Sequence, residues 1–234
     1  MSNWKQKRFW KAATTSETPD GFTVQLDGRL VKTPAKAPLI VPTLAMADAI
    51  ACEWDAQDDA INPETMPFTR SANAAIDKVA NQHAEVAEML ADYGDSDLLC
   101  YRADAPQELV VRQASEWDPV LDWAEQTLGA RLHPRRGLSH QAQDQAALLQ
   151  LRQAVHDLSN YQLAAFHDLV SMSGSLVLGF AAAHNWRDAD DIWRISRLDE
   201  SWQEEHWGVD DEARETAELK RRAFLHAKSF YDFS

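Results

Sequence analysis

The stretch Phe22–Thr33, F-T-V-Q-L-D-G-R-L-V-K-T, decides the fold class of this chain, because it predicts β-structure within a mostly helical pattern. Its first half alternates apolar and polar residues, with Phe22, Val24 and Leu26 on one side, as in a half-buried strand. Asp27-Gly28 follows as a turn signal, since a type I′ turn needs positive φ at both central positions. The stretch therefore predicts an antiparallel hairpin.

The residues that follow complete a small N-terminal domain. A third short strand is predicted at Leu39–Val41, between two prolines. Thr43 can cap a helix whose apolar face would cover one side of the sheet. The next loop, I-N-P-E-T-M-P-F-T, contains two prolines that forbid a continuous helix. We place a domain boundary there and expect domains at residues 1–68 and 69–234.

Beyond that boundary, apolar spacing predicts helices along most of the chain. The longest apolar helix contains small residues that would let other helices approach closely, and it is expected to break near Gly174. The expected class is α+β: a small antiparallel β N-terminal domain with a covering helix, then a mostly α-helical, orthogonal-bundle-like C-terminal domain. The predicted helices run from Thr69 to about Ala91, Pro106 to Glu116, Pro119 to Leu128 with Asp118 as cap, Ser139 to about Leu158, Tyr161 to His184, Asp188 to Gly208, and from a cap at Asp210 or Asp211 to near the end.

Composition narrows the possible partners. The 234 residues include 37 acidic and 23 basic side chains, a net charge of −14. Such a charge disfavours nucleic acid and anionic membrane surfaces. No apolar run approaches the roughly 20 residues that span a bilayer.

The two cysteines, Cys52 and Cys100, fit neither a disulfide framework nor a thiolate metal site. The start, M-S-N-W-K-Q-K-R-F-W-K, lacks the apolar stretch of a secretory signal, so we expect a bacterial cytoplasmic protein.

The most unusual stretch is Ser196–Gly208, S-R-L-D-E-S-W-Q-E-E-H-W-G, which crowds four carboxylates, two tryptophans and a histidine together. A helical wheel begun at Ile192 places one set of polar residues inside the apolar arc, namely Asp199, Gln203 and His206. It places Glu200 on the rim between Trp193 and Trp207, with Glu204 beside it. A carboxylate among large aromatics is typical of a protein-binding contact. The alternative is an ordinary solvated helix face with structural polar residues.

Catalytic motifs for nucleotide binding, serine hydrolysis and zinc proteolysis do not occur in the sequence. The nearest approach to a metal site is the cluster Asp199–His206, since carboxylates and imidazole on a helix are typical of di-iron bundles. Those bundles need a Glu-x-x-His pair, but Gln203 stands three positions before His206. A metal-dependent enzyme built on this cluster is therefore the alternative to a binding protein.

Several stretches together resemble one family. They are R-F-W-K with V-Q-L-D-G-R-L-V-K-T-P; E-W-D-A-Q with I-N-P-E-T-M-P-F-T-R-S-A-N-A-A-I-D; and S-R-L-D-E-S-W-Q-E-E-H-W-G, with D-L-L-C-Y-R and S-G-S-L-V-L between them. In this order and spacing they resemble the ATP synthase assembly chaperones that attend the alpha subunit of the soluble F1 head. The resemblance extends over nearly the whole chain.

The resemblance implies a non-enzymatic, two-domain protein without cofactors or metal. It would bind unassembled alpha subunit and shield the surface that later meets the beta subunit, until beta displaces it. The functionally important acidic residue of the family's L-D-E-x-W-Q motif corresponds to Glu200. We therefore expect partner contacts from Glu200, Glu204, Trp207 and Trp193, and a structural role for the inward polar set. The free protein is expected to be a monomer, cytoplasmic in bacteria, with relatives in the mitochondrial matrix.

Overall fold

The computed structural model of the protein describes residues 7–137 and 140–234. These residues form two compact units. The first contains the chain up to His83 together with Ser159–Ala165 and Ser229–Ser234, and the second contains Ala84–Leu158 and Phe166–Lys228. The division predicted at residues 68 and 69 falls inside the first unit, because the first segment of that unit extends to His83. The two later segments of the unit are distant in sequence, and a linear composition pattern does not reveal them. As a domain boundary it stays a prediction.

The first unit is built on an antiparallel sheet with strands β1 (Ala13–Thr18), β2 (Gly21–Leu26), β3 (Arg29–Leu30) and β4 (Ile40–Val41). Strand β2 pairs with each of the other three. Asp27 and Gly28 have φ values of 48° and 80°, so the predicted hairpin between β2 and β3 is confirmed. Strand β1, A-T-T-S-E-T, was not predicted, because it contains no large apolar residue to mark an alternating pattern.

Helix α1 (Leu44–Asp55) contacts β1, β2 and β4, as predicted for the covering helix. The Thr43 hydroxyl accepts a hydrogen bond of 3.2 Å from the Met46 amide, which confirms the predicted N-cap. Fully buried side chains from the sheet and from α1, such as Val24 and Ile50, form the centre of this core.

The long helix predicted from Thr69 to about Ala91 is interrupted twice. It consists of α2 (Pro67–Ala74), a π-helical turn at Ala75–Val79 and α3 (Ala80–Ala91). Within α3, Gln82 has φ −134° and ψ 26°, which lie outside the helical region. The first segment of the first unit ends at His83, directly after Gln82.

In the second unit, two short strands, β5 (Tyr101–Arg102) and β6 (Arg135–Arg136), pair in parallel. Between them runs one helix, α4 (Gln107–Leu128), with Pro119 inside it. The predicted division into two helices with Asp118 as a cap is therefore wrong. A proline removes one helical hydrogen bond, but the buried residues Trp117 and Val120 on either side of it keep the helix continuous through their packing.

The remaining helices are α5 (Gln145–His156), α6 (Asn160–Ser173), α7 (Leu176–Ala183), α8 (Ala189–Ser196), α9 (Leu198–Trp207) and α10 (Asp211–Asp232). Asp144 caps α5 through its Oδ1, which accepts from the Ala147 amide. The predicted cap Ser139 lies outside the described residues. Gly174, with φ 71°, separates α6 from α7, which confirms the predicted break. Within the described residues, no helix is both long and apolar enough to cross a membrane.

One carboxylate lies fully buried in this unit. Asp97 accepts hydrogen bonds from the amides of Leu99 at 3.0 Å and Val177 at 3.1 Å, at the N-terminus of a short 3₁₀ helix and of α7. Burial raises its pKa to about 6, although these hydrogen bonds act in the opposite direction. Asp97 thus links the N-termini of two helices, although burial disfavours its charged form.

Candidate functional site

The stretch Ser196–Gly208 lies in the second unit and does not continue the preceding helix. Helix α8 ends at Ser196, and Arg197, with φ −100° and ψ 17°, separates it from α9. The Ile195 carbonyl, which in a continuous helix would accept the amide four residues later, accepts the indole N–H of Trp117 at 3.0 Å. The predicted continuous helix is therefore wrong at Arg197, and the wheel does not give the directions of later side chains.

Three side chains lie elsewhere than the wheel predicts. Trp193 is only 7% exposed and packs against Phe224, with ring centroids 5.8 Å apart. Its predicted place at the rim is wrong. Gln203 and His206, which the wheel placed inside the apolar arc, are both exposed. Their inward placement is wrong because the wheel assumed one continuous helix through Arg197, whereas the helix is interrupted there.

Two side chains of α9 bind it to α4. Asp199 is half-buried and accepts a 2.7 Å hydrogen bond from Gln113 Nε2, and its structural role stays a prediction. Glu205 forms a bidentate pair with Arg112, at 2.6 and 2.9 Å. The Arg112 hydrogen bonds lower the pKa of Glu205, and the same pairing raises the pKa of Arg112. The guanidinium also lies 5.9 Å from the Trp202 ring centroid.

Arg197 organises the two carboxylates that were predicted to contact a partner. Its Nη1 lies 2.9 Å from Glu200 Oε1, and its Nη2 lies 3.6 Å from Glu204 Oε1. The Glu200 and Glu204 side chains are 46% and 35% exposed. Sequence reasoning gave Arg197 no role, although its spacing of three and seven residues from the glutamates is a usable helical signal. The pairing orients both carboxylates and leaves them accessible.

A groove of about 600 Å³ lies between α9 and the first half of α10. We call it the α9–α10 groove. Trp207, at the last position of α9, is 79% exposed, and Gly208 ends the helix with φ 91°. The groove thus combines oriented carboxylates with a large exposed aromatic surface, which suits a contact with both polar and apolar groups. Its lining includes Arg197, Glu200, Gln203, Glu204, Trp207 and Lys220.

The model of one protein family, described as ATP12 chaperone protein, matches residues 7–125 of this chain. The chain belongs to the ATP12 chaperone family. This confirms the family predicted from the sequence motifs. A curated relative, the mitochondrial protein atp12 of Schizosaccharomyces pombe, is 28% identical over 223 residues, which cover 89% of this chain and 76% of the relative.

Solved structures extend the relationship to the whole chain. Atp12 from Paracoccus denitrificans is 46% identical, with a TM-score of 0.96 and coverage of 99% of both chains. An aspartate-to-lysine mutant of that protein gives the same values. A protein from Agrobacterium tumefaciens is 39% identical, with a TM-score of 0.92 over 97% of this chain and 85% of its own length. These similarities agree with the predicted α+β class.

In this member of the family, the cluster Asp199–His206 does not assemble a metal site. Within residues 7–137 and 140–234, no three His, Cys, Asp or Glu side chains are placed so that they could hold a metal ion. His206 instead stacks on Trp202, with ring centroids 4.2 Å apart. The alternative prediction of a metal-dependent enzyme therefore has no set of ligands in the described part of the chain.

Proposed function

We propose that this protein is a chaperone for assembly of the F1 sector of ATP synthase. It binds the unassembled alpha subunit and covers the surface that later meets beta, until beta displaces it. The observation that carries the proposal is family membership, supported by 46% identity over 99% of the chain to Atp12 of Paracoccus denitrificans. The specific partner comes from the resemblance of the sequence motifs to alpha-binding chaperones.

We assign the contact with alpha to the α9–α10 groove. Trp207 offers an exposed indole face, and aromatic side chains beside an oriented charge are typical of interface residues with large binding energies. Glu200 and Glu204 can accept hydrogen bonds from a cationic or amide group of the partner while they keep contact with Arg197. Trp193 lies beneath the surface and supports α8 by its packing with Phe224.

The charge of the protein fits this role. An orphan subunit exposes apolar surface that associates non-specifically, and a chaperone with a net charge of −14 adds electrostatic repulsion between complexes. A small groove with partly exposed ion pairs also suits a contact that a competing subunit must replace. We further propose that the free chaperone is monomeric, which light scattering during size-exclusion chromatography would test.

The test is a binding assay with separately purified alpha and beta subunits. We expect the chaperone to co-purify with alpha, to suppress alpha aggregation, and to be released when beta is added. It should not bind beta alone. If folded chaperone fails to bind alpha or to suppress its aggregation, the proposal is overturned.

A variant pair tests the assignment to the groove. Trp207→Ala should weaken alpha binding, because it removes the largest exposed apolar surface of α9. Leu219→Ala is the matched control, since Leu219 is 66% exposed on α10 and does not line the α9–α10 groove. Equal effects of the two substitutions would refute the assignment and leave alpha binding itself unaffected.

A further inference from the structure

A second groove, of about 450 Å³, lies within the first unit beside strand β3. We call it the β3 groove. It shares no lining residue with the α9–α10 groove, and all of its lining residues belong to the first unit. Its lining includes the apolar side chains Phe9, Leu30 and Trp54 and four cationic side chains.

Two large apolar side chains of the β3 groove are exposed. Phe9 is 57% exposed and Leu30 is 55% exposed. Single exposed apolar residues are common on protein surfaces, but these two line the same depression together with the half-buried Trp54. They provide an apolar floor that a partner side chain could cover.

The rim of the same groove is cationic. Arg29, Lys32, Lys36 and Arg70 all line it, and no aspartate or glutamate does so. None of these four side chains forms an ion pair within the described residues, although Arg29 and Arg70 interact at longer range with Asp27 and Glu53. Most arginines of the chain do have a carboxylate partner in direct contact. The protein has 14 more acidic than basic side chains, so the positive charge of this rim is opposite in sign to the net charge of the chain. The groove therefore favours an anionic occupant.

Strand β3 also has an outer edge at Leu30, beyond which Val31 and Lys32 pair with Leu39 and Pro38. It ends the strand order β1–β2–β3. Leu26 and Arg29 face each other across the turn, and the Val31 amide bonds to the Val24 carbonyl at 2.9 Å. In an antiparallel ladder the intervening residue, Leu30, then directs its N–H and C=O away from β2. An exposed edge of this kind can pair with an extended segment of another chain.

From these three observations we propose that the β3 groove binds an extended segment of the client protein, in which carboxylates alternate with apolar side chains. The carboxylates would meet the cationic rim, the apolar side chains would cover Phe9 and Leu30, and the backbone would pair with β3. Alternation is required because successive side chains of a strand point to opposite sides. The identity of the client rests on the proposed function, whereas the chemistry of the segment does not.

The experiment uses the full-length protein and a fluorescent synthetic peptide of alternating glutamate and leucine residues. Fluorescence anisotropy at low salt should detect binding, and peptides with glutamine for glutamate or serine for leucine should bind more weakly. The double variant R29E/R70E should weaken binding at least about tenfold, because two attractions become repulsions. Leu30→Ser should also weaken it. Lys78→Glu is the matched control, since Lys78 is exposed in the same unit and does not line the groove.

Several results would overturn the proposal: no peptide binding, equal weakening by Lys78→Glu, or equal binding of the serine peptide, which would indicate charge attraction alone. Circular dichroism melting of each variant separates lost binding from lost folding. A concentration-dependent dimer that R29E/R70E abolishes would assign the groove to a second copy of the chain and overturn the client assignment.

The client is tested separately. Isolated alpha subunit should displace the peptide, and Glu200→Lys, which lies in the α9–α10 groove, should leave peptide affinity unchanged. If alpha binds the chaperone without displacing the peptide, the client assignment fails while the proposed function stands. If the peptide binds but alpha does not bind at all, the proposed function fails while the groove chemistry stands.

Discussion

Reversing the charge of Glu200 distinguishes a partner contact from a structural ion pair. The Glu200→Lys variant removes the 2.9 Å contact with Arg197 and places two cations next to each other. Glu200 is 46% exposed, so the pair contributes only about 0.2–1 kcal/mol to folding. Glu200 also lies in the first turn of α9, where a negative charge adds about 0.3–1 kcal/mol. The free energy of unfolding should therefore fall by about 1–2 kcal/mol.

For a chain of this size, that loss corresponds to a decrease in melting temperature of about 2–8 °C. The variant should therefore be folded at 25 °C. Binding of alpha should weaken by at least about thirtyfold, since opposing like charges at an interface costs about 2 kcal/mol or more. Differential scanning calorimetry measures the melting temperature, and titration against immobilised alpha subunit measures the binding affinity.

Glu205→Lys provides the matched control. It makes the same charge change on the same helix and breaks the bidentate pair with Arg112, but Glu205 does not line the α9–α10 groove. We expect it to reduce the melting temperature and to leave alpha binding within about threefold, because the Glu205 side chain pairs with Arg112 on α4 and is not part of the groove lining. If Glu205→Lys weakens binding as much as Glu200→Lys, or if Glu200→Lys binds normally, the groove is not the contact surface.

Two further predictions concern the core of the second unit. Burial raises the pKa of Asp97 above its ordinary value of 3.8 to about 6, so its contribution to stability is complete below about pH 3.8 and is lost as pH rises through 6. In urea unfolding, the stability of wild type relative to Asp97→Asn should therefore fall by up to roughly 3 kcal/mol between pH 4 and pH 7, and a constant difference would refute this. Gly179→Ala should lower the free energy of unfolding by about 1–3 kcal/mol, because a Cβ there would lie 2.7 Å from Val170 Cγ2. Urea midpoints test this second prediction, and a stabilised variant would show that helix propensity outweighs the clash.

The predictions that held were local ones. The turn at Asp27-Gly28, the Thr43 cap, the break at Gly174 and the end of α9 at Gly208 each depend on residues within about four positions. The backbone geometry of a turn or cap is set by which side chains tolerate positive φ or can accept a nearby amide. The fold class followed from these signals together with the apolar spacing of the long helices.

The predictions that failed depended on contacts between distant residues. Pro119 signals a helix start, but packing around Trp117 keeps α4 continuous. The same Trp117 donates its indole N–H to the carbonyl of Ile195, which lies two residues before the break at Arg197. No wheel drawn on one segment contains that hydrogen bond, because its partners are 78 positions apart. Gln203 and His206 follow the break that this contact adjoins, and both are exposed.

The sequence by itself determined the family, the hairpin-based N-terminal sheet and the importance of the acidic, tryptophan-rich stretch, because these follow from local conformational preferences and from motif order. Only the tertiary structure decided which side chains of that stretch, and of the helix just before it, are accessible. It placed Trp193 in the core, left Trp207 exposed, and brought Glu200 and Glu204 to Arg197 beside α10. The physical reason is that accessibility is a property of what packs against a side chain, and here those neighbours come from α4 and α10.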